Sequence, residues 1–209
     1  MASEVIIKII GIELEGTLVV PKEAIGLVIF AHGGGSGRKS PSSTYVADEL
    51  NGAGMATLLF DLLTESEDQI YENRFNIRLL TDRLVGVTEW CMNNRQTADL
   101  KIGYFGSSTG AAAALSAAAF WGHRVKAVVN SGGRPDLTGE ELDLVESPTL
   151  LIVGGEDKQV IDSNRQAYSH MGCEKKMEII PGATLLFEEP GALERVVELA
   201  MNWFKGHFV

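Results

Sequence analysis

The fold of this chain is decided by the stretch KIGYFGSSTG at residues 101–110, which runs directly into AAAAL at residues 111–115. An apolar run with strand character ends there in the pattern Gly-x-Ser-x-Gly, and the alanine-rich segment after it favours a helix. This order predicts a cramped strand-to-helix turn with Ser108 at its apex, where Gly106 and Gly110 give the backbone room. The stretch therefore has the form of a nucleophile elbow rather than of an ordinary glycine-containing loop.

The rest of the chain alternates between strand and helix patterns. Continuous apolar runs typical of strands buried on both faces occupy residues 24–31, 55–63, 125–129 and 149–153. Helical patterns lie between them, and residues 5–10 and 16–20 form an opening antiparallel hairpin. This alternation predicts an α/β fold with a mainly parallel central sheet and helices on both faces. No linker or repeat divides the sequence, so we expect one domain over residues 1–209.

Composition limits the partners, the cellular compartment and the cofactors that we expect for this chain. The 209 residues carry a net charge of −10, which does not favour a nucleic acid or an anionic membrane surface. The sequence has no signal-peptide pattern and no stretch of membrane-spanning length, so we expect a cytoplasmic protein. Cys91 and Cys173 lie far apart and are expected to be free thiols. The four histidines are scattered, and we expect no metal and no organic cofactor.

Reactive groups are expected at the carboxyl ends of the parallel strands. The loop that begins His32-Gly33-Gly34 follows one such strand, and Asp157 follows another. A phosphate-binding loop is the rival interpretation of the glycines, but Arg38 stands where that motif requires glycine. The sequence therefore favours catalysis by a serine over nucleotide binding.

The pieces FAHG at residues 30–33, GSSTG at 106–110, LIVGGED at 151–157 and PGATLLFEEP at 181–190 together resemble α/β hydrolases, and more narrowly dienelactone-hydrolase-like proteins. The resemblance covers nearly the whole chain. It implies hydrolysis of a small-molecule carboxylic ester or lactone through an acyl-enzyme on Ser108, with Asp157 as the triad acid. It also implies an oxyanion hole made by the backbone N–H groups of Thr109 and Gly34.

The last motif departs from the family pattern. The general base of the family is a histidine after a Pro-Gly-Ala-Thr-like turn, and Leu185 occupies that position here. Leucine accepts no proton, so we expect very low turnover. Asp157 loses the imidazole that it would orient, and we expect its carboxylate to find another donor, water or a raised pKa.

Several alternatives stay open. Leu185 reflects either an engineered substitution, which the intact surrounding motif favours, or natural loss that leaves a non-catalytic pseudo-hydrolase binding protein with a retained pocket. His32 is either a substitute base or, as we favour, a histidine whose ring bonds to the backbone and holds the oxyanion loop in shape. Arg38 is either a pocket residue that contacts substrate or part of the packed surface. The chain is expected to be a monomer or a weak homodimer.

Overall fold

The computed structural model describes residues 2–33 and 37–208. Its eight strands are β1 (Ala2–Ile9), β2 (Ile12–Val19), β3 (Leu27–Ala31), β4 (Ala56–Phe60), β5 (Ile102–Ser107), β6 (Val125–Ser131), β7 (Thr149–Gly154) and β8 (Lys175–Ile180). Its α-helices are α1 (Pro41–Gly52), α2 (Glu65–Asp68), α3 (Ile77–Asn93), α4 (Thr109–Trp121), α5 (Lys158–His170) and α6 (Ala192–Phe208). The predicted alternation of strands and helices is therefore present along the chain.

The strands form one sheet in the order β1-β2-β4-β3-β5-β6-β7-β8. β1 pairs with β2 and β2 pairs with β4 in antiparallel fashion, whereas every other neighbouring pair is parallel. The opening hairpin thus extends one edge of a parallel sheet. The six strands β3 to β8 all point the same way, so the loops after β3, β5, β6, β7 and β8 emerge at one edge of the sheet.

Helices cover both faces of the sheet, as the apolar strands require. One buried cluster lies beneath α3, α4 and α5 and includes Leu84, Ala114 and Ala167. A second lies on the opposite face beneath α1 and α6 and includes Leu50 and Phe204. Within the residues that the structure describes, no helix combines the length and the apolar character needed to cross a bilayer.

Short helices lie in two of the connecting segments. Residues 64–76 include α2 and a 3₁₀ turn at Tyr71–Phe75. Thr64 and Glu67 form a reciprocal capping box at the start of α2, so each satisfies a backbone N–H that the first turn leaves open. Residues 135–144 form two 3₁₀ turns separated by Gly139, which has a φ of 68°.

Candidate active site

Ser108 sits at the tight turn between β5 and α4. Its backbone has φ 51° and ψ −129°, in the left-handed region that non-glycine residues rarely adopt. Such strain persists only where the surrounding structure enforces it. Here Ser108 is exposed while its neighbours Thr109 and Gly110 are buried, so the turn holds the hydroxyl out at the carboxyl edge of the sheet.

The glycines around the turn are required by close backbone approach. A Cβ on Gly110 would lie 2.2 Å from the Ala31 carbonyl oxygen, and one on Gly106 would lie 2.7 Å from the Ala111 Cα. A Cβ on Gly33 would lie 2.6 Å from the Ser108 Cβ and 2.9 Å from its Oγ. The loop after β3 therefore runs directly beside the serine, in the position from which an oxyanion donor would act.

Ser108 opens into a pocket of about 560 Å³. The pocket lies between the start of α1, the ends of β5 and β6, and the loop that joins β8 to α6. Its lining residues are Ser40, Pro41, Ser42, Ser43, Val46, Phe105, Ser107, Ser108, Ser131, Gly132, Leu185, Leu186, Phe187, Glu188 and Leu193. The size is typical of sites that take a small organic ligand.

Leu185 lines the same pocket as Ser108. It belongs to the loop between β8 and α6, and its carbonyl oxygen would be 2.4 Å from a Cβ on Gly132, at the end of β6. The loop is fixed to the end of β7, because the N–H of Gly155 donates to the Ile180 carbonyl and the N–H of Glu156 donates to the Ala183 carbonyl. Leu185 is thus held beside the strand ends that carry the site.

Asp157 caps the helix α5 that follows β7. Its Oδ1 accepts a hydrogen bond from the backbone N–H of Val160 at 3.0 Å. This helix amide is a donor of the kind expected for the carboxylate, and the bond also stabilises α5. The helix begins at Lys158, directly after the residue that caps it.

Arg134 brings a cation close to Asp157. Its guanidinium donates two hydrogen bonds to the Asp136 carboxylate, at 2.8 and 2.7 Å. These bonds raise the pKa of Arg134 above its ordinary value, and the negative charge of Asp157 adds a smaller contribution. The backbone N–H of Arg134 also donates to the carbonyl of Ser108 at 3.2 Å, so the loop after β6 braces the elbow.

His32 is buried beside the site and bonds to a side chain rather than to the backbone. Its Nδ1 lies 3.1 Å from the Ser43 Oγ at the start of α1. Burial lowers the pKa of His32 to about 4, so the ring is neutral at pH 7. Its Nε2 has no hydrogen-bond partner among the described residues, Ser108 included. His32 thus joins the loop after β3 to α1, which fits a role in shaping that loop. The expected hydrogen bond from its ring to the backbone is not found among residues 2–33 and 37–208.

Arg38 lies away from the Ser108 pocket and is 7% exposed. Its guanidinium pairs with Glu4 and Glu15 at 2.6 Å each and with Asp61 at 3.4 Å. Its backbone N–H also donates to Asp61 at 2.8 Å. Arg38 therefore joins the loop after β3 to the β1–β2 hairpin, and it is not among the residues that line the pocket. The expectation that it contacts substrate receives no support from this placement.

The proposed oxyanion donors are described only in part. Thr109 begins α4, and its hydroxyl donates to the Arg74 carbonyl at 3.1 Å, which links the elbow to the 3₁₀ turn Tyr71–Phe75. Gly34, the second expected donor, lies outside the described residues. The remaining histidines are distant in the fold: His123 follows α4, His170 ends α5 and His207 lies in the last turn of α6, and none of them lines the pocket described above.

Sequence reasoning did not identify most of the pocket wall. The sequence patterns indicate no role at the site for the lining residues Phe105, Ser131, Leu186, Phe187 and Glu188. A usable signal was present for Ser131, which lies two residues after the predicted strand 125–129, at the carboxyl edge of the sheet. For Leu186 and Phe187 the signal was two consecutive apolar side chains in a loop, an arrangement that is uncommon unless they cover a surface.

Comparisons with solved structures identify the fold. A dienelactone hydrolase from Anabaena variabilis is 50% identical, has a TM-score of 0.97, and is matched over 99% of this chain and 98% of its own. Est1E from Butyrivibrio proteoclasticus is 19% identical, with a TM-score of 0.82 and 98% of each chain covered. These likenesses confirm the predicted α/β-hydrolase fold.

Sequence comparison gives a different name. A protein of Mycobacterium tuberculosis is 52% identical over 196 residues, and its name is provisionally that of a phosphoribosyl transferase. The match covers 94% of this chain but 44% of that relative, so the chain spans less than half of the length of its curated relatives. No family model matches the chain. The dienelactone hydrolase described above is 50% identical and is matched over 98% of its own length, so this chain belongs to the dienelactone hydrolase family.

Proposed function

We propose that this chain is a serine-hydrolase scaffold for carboxylic esters or lactones whose turnover is impaired at one step of proton transfer. Ser108 would attack the carbonyl carbon and carry the acyl group. The N–H of Thr109 and one from the loop that starts at His32 would stabilise the oxyanion. The observation that carries the proposal is that Leu185 and Ser108 line one pocket. The family resemblance implies that a base would stand at position 185, where this chain has an alkyl side chain.

The expected defect in turnover follows from the proton transfers that the reaction requires. When the Ser108 Oγ bonds to the carbonyl carbon it must lose its proton, and the departing alkoxide must gain one. A histidine performs both transfers and later activates the water that releases the acyl group. Leu185 does none of these, and His32 is neutral, buried and bonded to Ser43. Acylation would therefore be slow and deacylation slower.

A non-catalytic binding protein is the second candidate, and one observation favours it. Leu185 adds an apolar side chain to a pocket that already contains Leu186 and Phe187, which improves the pocket as a receptor while removing the base. The phosphoribosyl transferase name of the longer relatives has weaker support, because more than half of their length lies outside the match. Whether position 185 was altered by engineering or by natural loss stays a hypothesis.

Leu185→His tests the proposal directly. We expect at least a 10²-fold faster reaction of Ser108 with a fluorophosphonate probe and of p-nitrophenyl acetate turnover, since general acid–base catalysis contributes about 10²–10⁴-fold. Leu185→Asn is the matched control, because it introduces a polar side chain of similar size with no titratable base. It should leave both rates low.

Serine variants decide which hydroxyl reacts. Ser108→Ala in the Leu185→His background should abolish labelling and turnover, whereas Ser107→Ala should retain both. If the folded Leu185→His protein stays as inert as the parent, the assignment of position 185 as the base position is wrong and the binding-protein candidate takes its place.

A further inference from the structure

We propose that Ser131 determines part of the ligand specificity of the Ser108 pocket, because its hydroxyl binds a ligand hydroxyl group that lies two or three carbons from the ester carbonyl. This inference rests on the proposed function, since it names a substrate class, hydroxy esters and hydroxy lactones, for the same site. It is drawn from a buried serine side chain that lines the pocket and has no hydrogen-bond partner among the described residues.

The strand pattern directs Ser131 into the pocket. It is the last residue of β6, and alternate residues of a strand face the same side of the sheet. Val129, two positions earlier, packs in the buried cluster beneath α1 and α6. Ser131 therefore points to the side on which these two helices and the loop after β8 enclose the pocket, and it is among the residues that line it.

The position of Ser131 in the sheet brings it close to the proposed nucleophile. It pairs in register with Ser107, which immediately precedes Ser108. Neighbouring strands lie about 4.8 Å apart and consecutive Cα atoms about 3.8 Å, so the Cα atoms of Ser131 and Ser108 are within roughly 9 Å of each other. A ligand whose carbonyl carbon meets the Ser108 Oγ would therefore present a substituent on its second or third carbon near the Ser131 hydroxyl.

The hydroxyl of Ser131 differs from those of other serines in the pocket. The Oγ atoms of Ser40 and Ser42 lie 3.1 Å apart, and the Ser43 Oγ lies 3.1 Å from the His32 Nδ1. Ser131 is 7% exposed, yet its hydroxyl has no partner in the described part of the chain. Burial of a polar group without a hydrogen bond is unfavourable, so a hydroxyl of this kind indicates a bond that water or a ligand completes.

The surroundings of Ser131 make this hydrogen bond selective. The pocket wall also carries apolar side chains from α1, β5, α6 and the loop between β8 and α6. At the next residue, a Cβ on Gly132 would lie 3.1 Å from the Phe187 Cε2 and 3.3 Å from the Leu185 Cδ1. A hydrocarbon group placed here would displace water and leave the serine hydroxyl without a partner, whereas a ligand hydroxyl would replace the lost bond.

The experiment is an NMR titration of the Ser108→Ala protein, which cannot form an acyl-enzyme. The ligands are methyl 3-phenylpropanoate and the two enantiomers of methyl 3-hydroxy-3-phenylpropanoate, titrated separately. We expect one enantiomer of the hydroxy ester to bind about three- to tenfold more tightly than the plain ester, which is the scale of one hydrogen bond. Ser131→Ala in the same background should remove this preference.

Ser147→Ala is the matched control. Ser147 is also buried, but its hydroxyl donates to the Val125 carbonyl at 2.9 Å and it is not among the residues that line the pocket. Its substitution should keep the ligand preference and lower the free energy of unfolding, since a buried carbonyl loses its donor. Ser131→Ala should not lower the free energy of unfolding in urea denaturation, because no hydrogen bond of the folded chain is lost.

Equal binding of the hydroxy esters and the plain ester would overturn the proposal, and so would a preference that survives Ser131→Ala. Failure of all three ligands to bind the folded protein would overturn it too. A loss of stability in Ser131→Ala as large as that in Ser147→Ala would do the same, because the hydroxyl would then have a partner within the fold. Each of these results leaves the proposed function standing if Leu185→His accelerates labelling of Ser108, since that assay measures proton transfer at Ser108 and does not depend on Ser131.

Discussion

Gly110→Ala tests the claim that close backbone approach, rather than helix propensity, determines the residue after the elbow. A Cβ at this position would lie 2.2 Å from the Ala31 carbonyl oxygen and 2.7 Å from the His32 carbonyl carbon. Ordinary contacts begin near 3.4 Å, so the methyl group is roughly 1 Å too close to backbone that belongs to β3 and its loop. Since no flexible side chain is available to yield, α4 or the end of β3 must shift.

The magnitude follows from two opposing effects. Overpacking of a buried site costs about 1–3 kcal/mol, and replacing glycine by alanine within a helix gains up to about 1 kcal/mol. We expect Gly110→Ala to lower the free energy of unfolding by about 2 kcal/mol, because the obstruction is backbone and lies toward the severe end of that range. Labelling of Ser108 in the Leu185→His background should fall as well, since the displaced segments carry the elbow and the loop beside it.

Gly206→Ala is the matched control. Gly206 is also helical, but nothing lies within 4 Å of its Cβ position, so alanine there should raise stability by up to about 1 kcal/mol. Urea denaturation followed by circular dichroism measures both variants. If Gly110→Ala proves as stable as Gly206→Ala, the close packing of α4 against β3 described above is wrong.

Two further predictions concern residues near the loop after β3. Arg38→Met should lower the free energy of unfolding by about 1–3 kcal/mol in urea denaturation, because it leaves three carboxylates without their cation. Arg195→Met, which removes an exposed pair with Glu198, should cost less than about 1 kcal/mol, and equal losses would contradict the structural role of Arg38. The pKa of His32 is about 4 in the folded protein and near 6.5 in the unfolded chain, so the unfolded chain binds more protons between these values. The free energy of unfolding is thus highest above about pH 6.5 and falls as the pH drops toward 4, by up to about 3 kcal/mol. The free energy of unfolding of His32→Asn, measured over the same pH range, should lack that part of the pH dependence. An unchanged pH profile would refute the assignment.

The elements closest to the chemistry were the most predictable from sequence. The Gly-x-Ser-x-Gly run between an apolar strand and an alanine-rich segment is a local pattern, and it identifies the turn that carries Ser108 without reference to the rest of the fold. The short helix α2 was not predicted, although the capping-box spacing of Thr64 and Glu67 is a local signal for it. Neither of these two sequence patterns depends on contacts between distant parts of the chain.

Properties that depend on distant contacts were not accessible. Arg38 is followed by helix α1, yet its three carboxylate partners come from β1, β2 and the end of β4, and no local pattern indicates that convergence. The antiparallel pairing of β2 with β4 and the bond between His32 and Ser43 are likewise decided by tertiary packing. The apolar wall of the pocket was not predicted for the same reason, because its residues come from four separate segments of the chain.

The hydrogen bonds that hold residues 181–190 have a consequence for substitutions at position 185. Ala183 and Ile180 engage the end of β7 through their carbonyl groups, and the N–H of Thr184 donates to the carboxylate of Glu189. These hydrogen bonds use main-chain atoms and one glutamate, and none of them involves the side chain at position 185. Under the proposed function, a substitution at position 185 would therefore change proton transfer at Ser108 while these main-chain hydrogen bonds of the segment are kept.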